Sequence, residues 1–287
     1  MIKEVKILSH EEIQAKVYEL ALEVVRICRK HDINYVVTGG TILGAIRHQD
    51  FIPWDDDLDF GMLAPEYDRF IKVCQTELNP KKYFLQTGQT DVNYAFDFAK
   101  LRLKQTKIEE AFSSQANQKE EGIFVDIFPF RSLPDQCLKR LVFKYRVKYL
   151  NNLIWVKLGY GSPRQRGQVR YWLLNGLAQC TRLKWLKYRR QSLIRKNCQQ
   201  VTKQVAALDY LDEVLTREMF LHRVYLPFRK TKFWSFKDYH AYLKQAYGKD
   251  YLRIPPQEEQ ACHANIAYEY LESKEEKDAS IGRFIRI

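Results

Sequence analysis

Residues 55–60, Asp-Asp-Asp-Leu-Asp-Phe, restrict the fold more than any other stretch of this chain. Leu58 and Phe60 alternate with Asp57 and Asp59, the period of two that belongs to a strand. Such a strand has one apolar face and one acidic face. The apolar face requires a packed layer beneath it. The acidic face requires something that offsets repulsion, because like charges side by side destabilise a strand. On a strand the Cα atoms of Asp57 and Asp59 lie roughly 6.5–7 Å apart and their side chains point the same way. Asp55 joins them if the strand begins early. With Asp50 and Asp56, five acids fall in residues 50–60 of a chain whose formal net charge is +12. Either solvent around a flexible loop or a bound cation must hold them together.

The flanking patterns supply the rest of a core. Ser9 and Glu12 form a capping-box pattern. Ile13, Val17, Leu20, Val24 and Ile27 then recur at helical spacing, which predicts an amphipathic helix ending near His31. Residues 34–40 read as a short strand closed by Gly39 and Gly40. A short helix is expected from Thr41, and another from Pro65. Residues 83–86, 94–103 and 122–130 read as strands, the last apolar except for Asp126. This order of helices and strands predicts an α/β or α+β domain around a mixed sheet.

Basic charge is concentrated elsewhere. Residues 131–200 hold 17 Lys and Arg against one acid, Asp135. The segment reads as mostly helical, with Leu138, Leu141, Val142, Tyr145, Tyr149, Leu153 and Val156 on one stripe and a break at 159–167. Such a block suits a polyanionic partner: an anionic membrane surface, an anionic glycan or nucleic acid. The change in charge marks a boundary near 131; the chain is read as a core (1–130), a basic helical region (131–235) and a C-terminal segment packing on the core (236–287). The six cysteines show neither zinc spacing nor a disulfide framework. No apolar run approaches the ~20 residues of a membrane helix, and no signal-peptide pattern opens the chain. A cytoplasmic protein is expected, with peripheral contact at the inner face of the membrane open through residues 131–200.

Taken singly, each motif has a plain structural reading. A Gly-Gly pair is usually a turn, an Asp-x-Asp an exposed polar face, and a buried acid such as Asp126 a partner for arginine. Their conjunction says more. Glycines admit close backbone approach, and a helix N-terminus attracts phosphate. Two carboxylates on one strand face, with Asp126 from a neighbouring strand, can hold Mg²⁺ against a phosphate donor. An acid within an apolar strand is costly unless paired or liganded.

Residues 38–62, TGGTILGAIRHQDFIPWDDDLDFGM, closely resemble the signature of the LicD family of phosphocholine transferases, related to the fukutin-type phosphotransferases. Residues 98–106 look like the family's Lys-x-Arg strand and 122–130 like its third-Asp strand. Residues 242–263 look like its Tyr-Gly…Pro-Pro…His segment. The resemblance implies a nucleotidyltransferase-like fold. It also implies Mg²⁺- or Mn²⁺-dependent transfer of a phospho-alcohol from a CDP-alcohol donor, CDP-choline above all. The acceptor would be a sugar hydroxyl of a glycan or lipid-linked glycan. Position by position it places Gly39, Gly40 and Thr41 on the phosphate-binding turn. Asp57 and Asp59 fall on the metal pair, and Asp126 on the third carboxylate, as metal ligand or base. Arg47 and His48, in the matched stretch, fall with the donor- and phosphate-binding residues, Arg47 facing phosphate. Lys100 and Arg102, two apart, face one side towards the donor. Trp54, Tyr94, Phe96 and Phe98 are candidate faces for choline, with core packing the plainer role for Phe96 and Phe98.

Two departures bear on the donor alcohol: Gln260 stands where a basic residue is frequent, and Trp234 where an acid is. Two further readings stay open at this point. One is a nucleotidyltransferase acting on a small molecule or RNA. The other is a catalytically silent membrane- or glycan-binding protein. Nucleic acid is the less favoured partner, because the specific motif points to glycan chemistry.

Overall fold

The computed structural model describes residues 5–110, 116–160, 168–260, 262 and 264–271. The expected first helix forms as α1 (His10–Lys30). The Ser9 hydroxyl accepts the Glu12 N–H at 3.2 Å and the Glu12 carboxylate accepts the Ser9 N–H at 2.9 Å. These bonds satisfy N–H groups that a helix start otherwise leaves unpaired. Val17, Leu20, Val24 and Ile27 bury completely against the central sheet.

That sheet has seven strands and is mixed, which makes the fold α+β. Its main path runs β2 (Val36–Val37), β3 (Asp59–Leu63), β7 (Phe124–Ser132), β5 (Ala99–Leu103), β4 (Tyr83–Gln86). β3 and β7 are parallel, and the other pairs on this path are antiparallel. Two short strands, β8 (Gln204–Ala207) and β9 (Leu215–Thr216), extend the sheet from the far half of β7. β1 (Val5–Ile7), β6 (Thr106–Glu110) and β12 (Ala264–Tyr270) form a separate three-stranded sheet. α2 (Gly39–Arg47) and α3 (Ala64–Glu77) follow β2 and β3, and Pro65 sits in the first turn of α3 as its missing N–H allows.

Three boundaries differ from the expectations. β3 starts only at Asp59, so Asp57 lies in the extended approach to the strand. The chain there is still leaving a turn in which the Asp55 N–H bonds to the Ile52 carbonyl at 2.9 Å. Residues 94–98 are not a strand. Their carbonyls are taken by side chains rather than by a ladder: Lys187 donates to Tyr94 at 2.6 Å and Arg190 to Ala95 at 2.7 Å. α2 begins at Gly39, two residues before Thr41.

The basic region is helical through α4 (Cys137–Lys157), α5 (Gln168–Gln179) and α6 (Leu183–Asn197). Beyond that the chain returns to the core. α7 (Arg217–Leu221) leads into the hairpin of β10 (Arg223–Phe228) and β11 (Thr231–Phe236). Phe228, Phe233 and Phe236 of this hairpin are buried in the main core. α8 (Tyr239–Tyr247) is capped by Asp238 and stopped by Gly248 at φ +86°, the left-handed exit expected of a glycine. Of the stripe on α4, Leu153 and Val156 are buried while Leu138, Leu141, Val142, Tyr145 and Tyr149 are exposed; the inward face of the first turns is instead Phe143 and Val147. Residues 161–167 of the expected break at 159–167, His263 and the charged tail from 272 lie outside the described residues.

Candidate active site

One rung of the central sheet organises the site. Asp59 of β3 is in register with Asp126 of β7, and Asp126 with Lys100 of β5. Directly opposed residues put their side chains on the same face. Asp59, Asp126 and Lys100 therefore stand in a row across three adjacent strands. The Lys100 Nζ lies 3.4 Å from Asp126 Oδ1 and 3.1 Å from the centre of the Phe124 ring. The alternate residues Phe60, Val125, Ile127 and Leu101 point the other way and are fully buried. The period-two pattern thus separates a core face from a chemical face.

The five acids of residues 50–60 divide by role. Asp50 pairs with Arg229 at 2.6 Å. Asp56 is buried and accepts the Ala264 N–H at 2.7 Å, tying down β12. Asp55, Asp57 and Asp59 are partly exposed and act on one another. Burial, and then the charges of Asp59, Asp55 and Asp126, hold the Asp57 carboxyl well above the usual carboxylate range. Asp59 is raised by burial and then by Asp126 and Asp55, with Lys100 opposing. Oxygen donors under such mutual repulsion are what a hard divalent cation satisfies. Among the described residues no three His, Cys, Asp or Glu side chains already form a metal cage.

The glycine turn fits against these acids. A Cβ on Gly39 would sit 2.9 Å from Asp59 Oδ2, and one on Gly40 2.7 Å from Asp55 Oδ2. Gly39 also has φ +57°, the left-handed region that side chains disfavour. Its N–H donates to the Tyr242 hydroxyl at 2.8 Å. Thr41 is buried, and its hydroxyl accepts the Asp59 N–H at 2.9 Å. Both residues thereby fix where Asp59 stands. Gly39→Ala is expected to cut catalytic turnover at least tenfold, because the new methyl group displaces a carboxylate. Gly248→Ala, where a Cβ meets nothing within 4 Å, should cost only stability, about 1 kcal/mol. Parallel activity assays and urea unfolding of the two variants check the contrast.

The other expected residues are placed as follows. Arg47 donates to the Arg253 carbonyl at 3.2 Å and its guanidinium lies 6.0 Å from the Trp54 ring centre. His48 follows it, its basicity lowered by burial and then by the Arg47 charge. Arg102 is buried and bonds to Gln86 of β4 at 2.6 Å and to the carbonyl of Gly122, just before β7, at 2.7 Å. Phe96 and Phe98 stack at 4.9 Å beside Tyr94, in packing roles. Of the two departures, Trp234 stacks on Tyr225 at 3.6 Å and Gln260 donates to the Pro255 carbonyl at 3.0 Å.

Sequence reasoning missed Glu213 and gave Tyr242 no role. Beside Gly39 lies a cavity of about 350 Å³ lined by Glu213, Tyr242, Gln245 and Tyr247, among others. A second, of about 340 Å³, runs on through Tyr210, Asn151 and Trp155 and shares Asp212 and Glu213. The Tyr247 hydroxyl is raised by burial and then by the Asp59 and Asp55 charges, so it stays protonated and able to donate. Tyr242 and Tyr247 lie in the matched C-terminal segment; nothing in the local pattern around Glu213 marks it.

Paired acids on two interior strands of an α+β sheet, a glycine turn and adjoining cavities form an arrangement suited to phosphate chemistry. A family model described as "LicD/FKTN/FKRP, nucleotidyltransferase domain" matches residues 32–158. The lipopolysaccharide cholinephosphotransferase LicD of Haemophilus influenzae is 30% identical over 253 residues, covering 83% of this chain and 89% of that protein. Ribitol 5-phosphate transferase FKRP of mouse and of human is 46% identical over 44 residues, 15% of this chain and 9% of each relative. The chain belongs to the LicD family.

Proposed function

We propose that this protein transfers a phospho-alcohol, phosphocholine from CDP-choline in the first instance, onto a sugar hydroxyl of a cell-surface glycan. The observation that carries the reading is the row Asp59–Asp126–Lys100, with Asp57 and Asp55 beside it, in a chain alignable over most of its length with a cholinephosphotransferase. Asp57 and Asp59 would hold Mg²⁺ or Mn²⁺, cations that favour a few carboxylates together with phosphate oxygens. Bound there, the cation would supply charge neutralisation for the pyrophosphate.

The chain's own groups account for the remainder. The acceptor hydroxyl forms a new O–P bond at the phosphorus that carries the alcohol. The bond from that phosphorus to CMP breaks, and CMP leaves. Asp126 takes the hydroxyl proton, since an alcohol is un-ionised near neutral pH and needs a base as it attacks. Lys100 offsets negative charge at the row, and Tyr247 donates towards the phosphates from the adjoining cavity.

The test is product analysis by phosphorus NMR with CDP-choline and a deacylated glycan acceptor, with Mg²⁺ and with EDTA. Metal-dependent appearance of CMP and of a choline phosphodiester is the expected result. Release of pyrophosphate from CTP, with CDP-choline untouched, would move the protein to the nucleotidyltransferase reading.

A further inference from the structure

α4 carries two apolar stripes, and the core uses only one of them along the first turns. At about 100° per residue, Leu138, Val142, Tyr145 and Tyr149 fall within about 60° of arc. Phe143 and Val147, which are buried, lie on the opposite side. The outer line continues into Leu153 and Val156, both buried, and α5 and α6 help to cover Leu153. Its first three turns are bare: Leu138 is 73% exposed and Tyr145 68%. Lys139 and Arg146 border this stripe on one edge, Lys144 and Lys148 on the other. An apolar strip between two basic margins is the layout of a helix lying in a membrane interface, where long basic side chains reach outward to headgroups.

A groove between α4 and α6 extends the same face onto a second helix. It encloses about 300 Å³ and is lined by Leu138, Val142 and Leu193 with Lys139, Arg146 and Lys196 at its rim. Apolar walls under three cations suit the junction of an anionic headgroup with its acyl chains. Trp185 on α6 is half-exposed with the Arg189 guanidinium 5.6 Å from its ring centre. The surrounding segment holds 17 Lys and Arg against one acid.

We propose that the first half of α4, with the facing edge of α6, docks the protein on an anionic lipid bilayer. Two rival occupants fit less well. A second copy in a two-fold contact would oppose basic margin to basic margin. A nucleic acid or anionic glycan would use the cations and leave the apolar strip in water. This inference stands apart from the transfer reaction and does not depend on it.

The experiment is co-sedimentation of the full chain with phosphatidylcholine vesicles, pure or with one part in three phosphatidylglycerol. Two triple variants accompany it: Leu138→Ser, Val142→Ser, Tyr145→Ser, and Lys139→Glu, Arg146→Glu, Lys196→Glu. All six positions lie on the surface, and circular dichroism confirms folding. Wild type should partition to the anionic vesicles, and each triple variant should lose at least tenfold in partition. Wild type left in the supernatant would overturn the proposal. So would a serine variant that binds as tightly as wild type, the behaviour of a purely electrostatic polyanion site. A dimer in light scattering that the serine variant abolishes, without vesicle binding, would assign the face to a second copy.

Discussion

Asp59→Asn should lose at least a thousandfold in turnover while the protein remains fully folded. The substitution keeps the shape of the side chain, so the bond from the Asp59 N–H to Thr41 and the fit against Gly39 are retained. What goes is one of two charges that hold the cation. A metal ion polarising a phosphoryl group contributes several kcal/mol to the transition state, and each 1.36 kcal/mol is about tenfold in rate. Stability should move the other way. Asp59 is held above the usual carboxylate range by burial and by Asp126 and Asp55. Without added metal, the neutral variant should therefore unfold at a temperature equal to or above that of wild type. Activity within a few-fold of wild type would remove Asp59 from the chemistry.

Arg131→Met should be the most destabilising single change away from the site. Arg131 lies at the far end of β7 from Asp126 and bonds to Asp97 at 2.7 Å. Asp97 is nearly inaccessible, and Gln191 donates to its other oxygen at 3.2 Å. Burial pushes the Asp97 carboxyl up, but Arg131 and then Arg190 pull it below its ordinary range. Removing Arg131 strands a buried negative charge, at a cost of about 3–5 kcal/mol. For a chain of this size that is a fall of roughly 10 °C in the melting temperature. The pH dependence has a definite sign. A carboxyl lowered by folding stabilises above its unfolded pKa, and that contribution is lost as pH falls through the folded value. The deficit of the variant should thus be largest near neutral pH and shrink in acid, where Asp97 can protonate. Adding Asp97→Asn should recover much of the loss. Paired thermal melts across pH measure all three effects.

The first 130 residues were largely legible because their signals are local. The capping box at Ser9 needs only four residues. Alternation in 57–60 separates the two faces of β3, and the single acid in 122–130 marks Asp126. What escaped depended on distant partners. Residues 94–98 look like a strand until Lys187 and Arg190, some 95 positions away, claim their carbonyls. The aromatics of 220–236 belong to the main core, yet their sequence lies beyond a long basic segment that masks the return. The five acids of residues 50–60 look alike in sequence. Only the tertiary contacts distinguish Asp50, paired with Arg229, and Asp56, bonded to Ala264, from the three that crowd the site. On α4 the periodicity was right and the burial was not, since a stripe can face solvent as readily as core until its neighbours are known. Glu213 has no local signature at all; it matters because α8 brings Tyr242 between it and Gly39.

The most direct test of the central claim is calorimetric titration of CDP-choline into wild type and Asp59→Ala, each with Mg²⁺ and with EDTA. CDP-choline should bind wild type in Mg²⁺ and not in EDTA, with a loss of at least tenfold in affinity when either the metal or the Asp59 carboxylate is removed. Binding of equal strength in EDTA, or to Asp59→Ala, would contradict it, because the clustered carboxylates would then have no part in holding the donor.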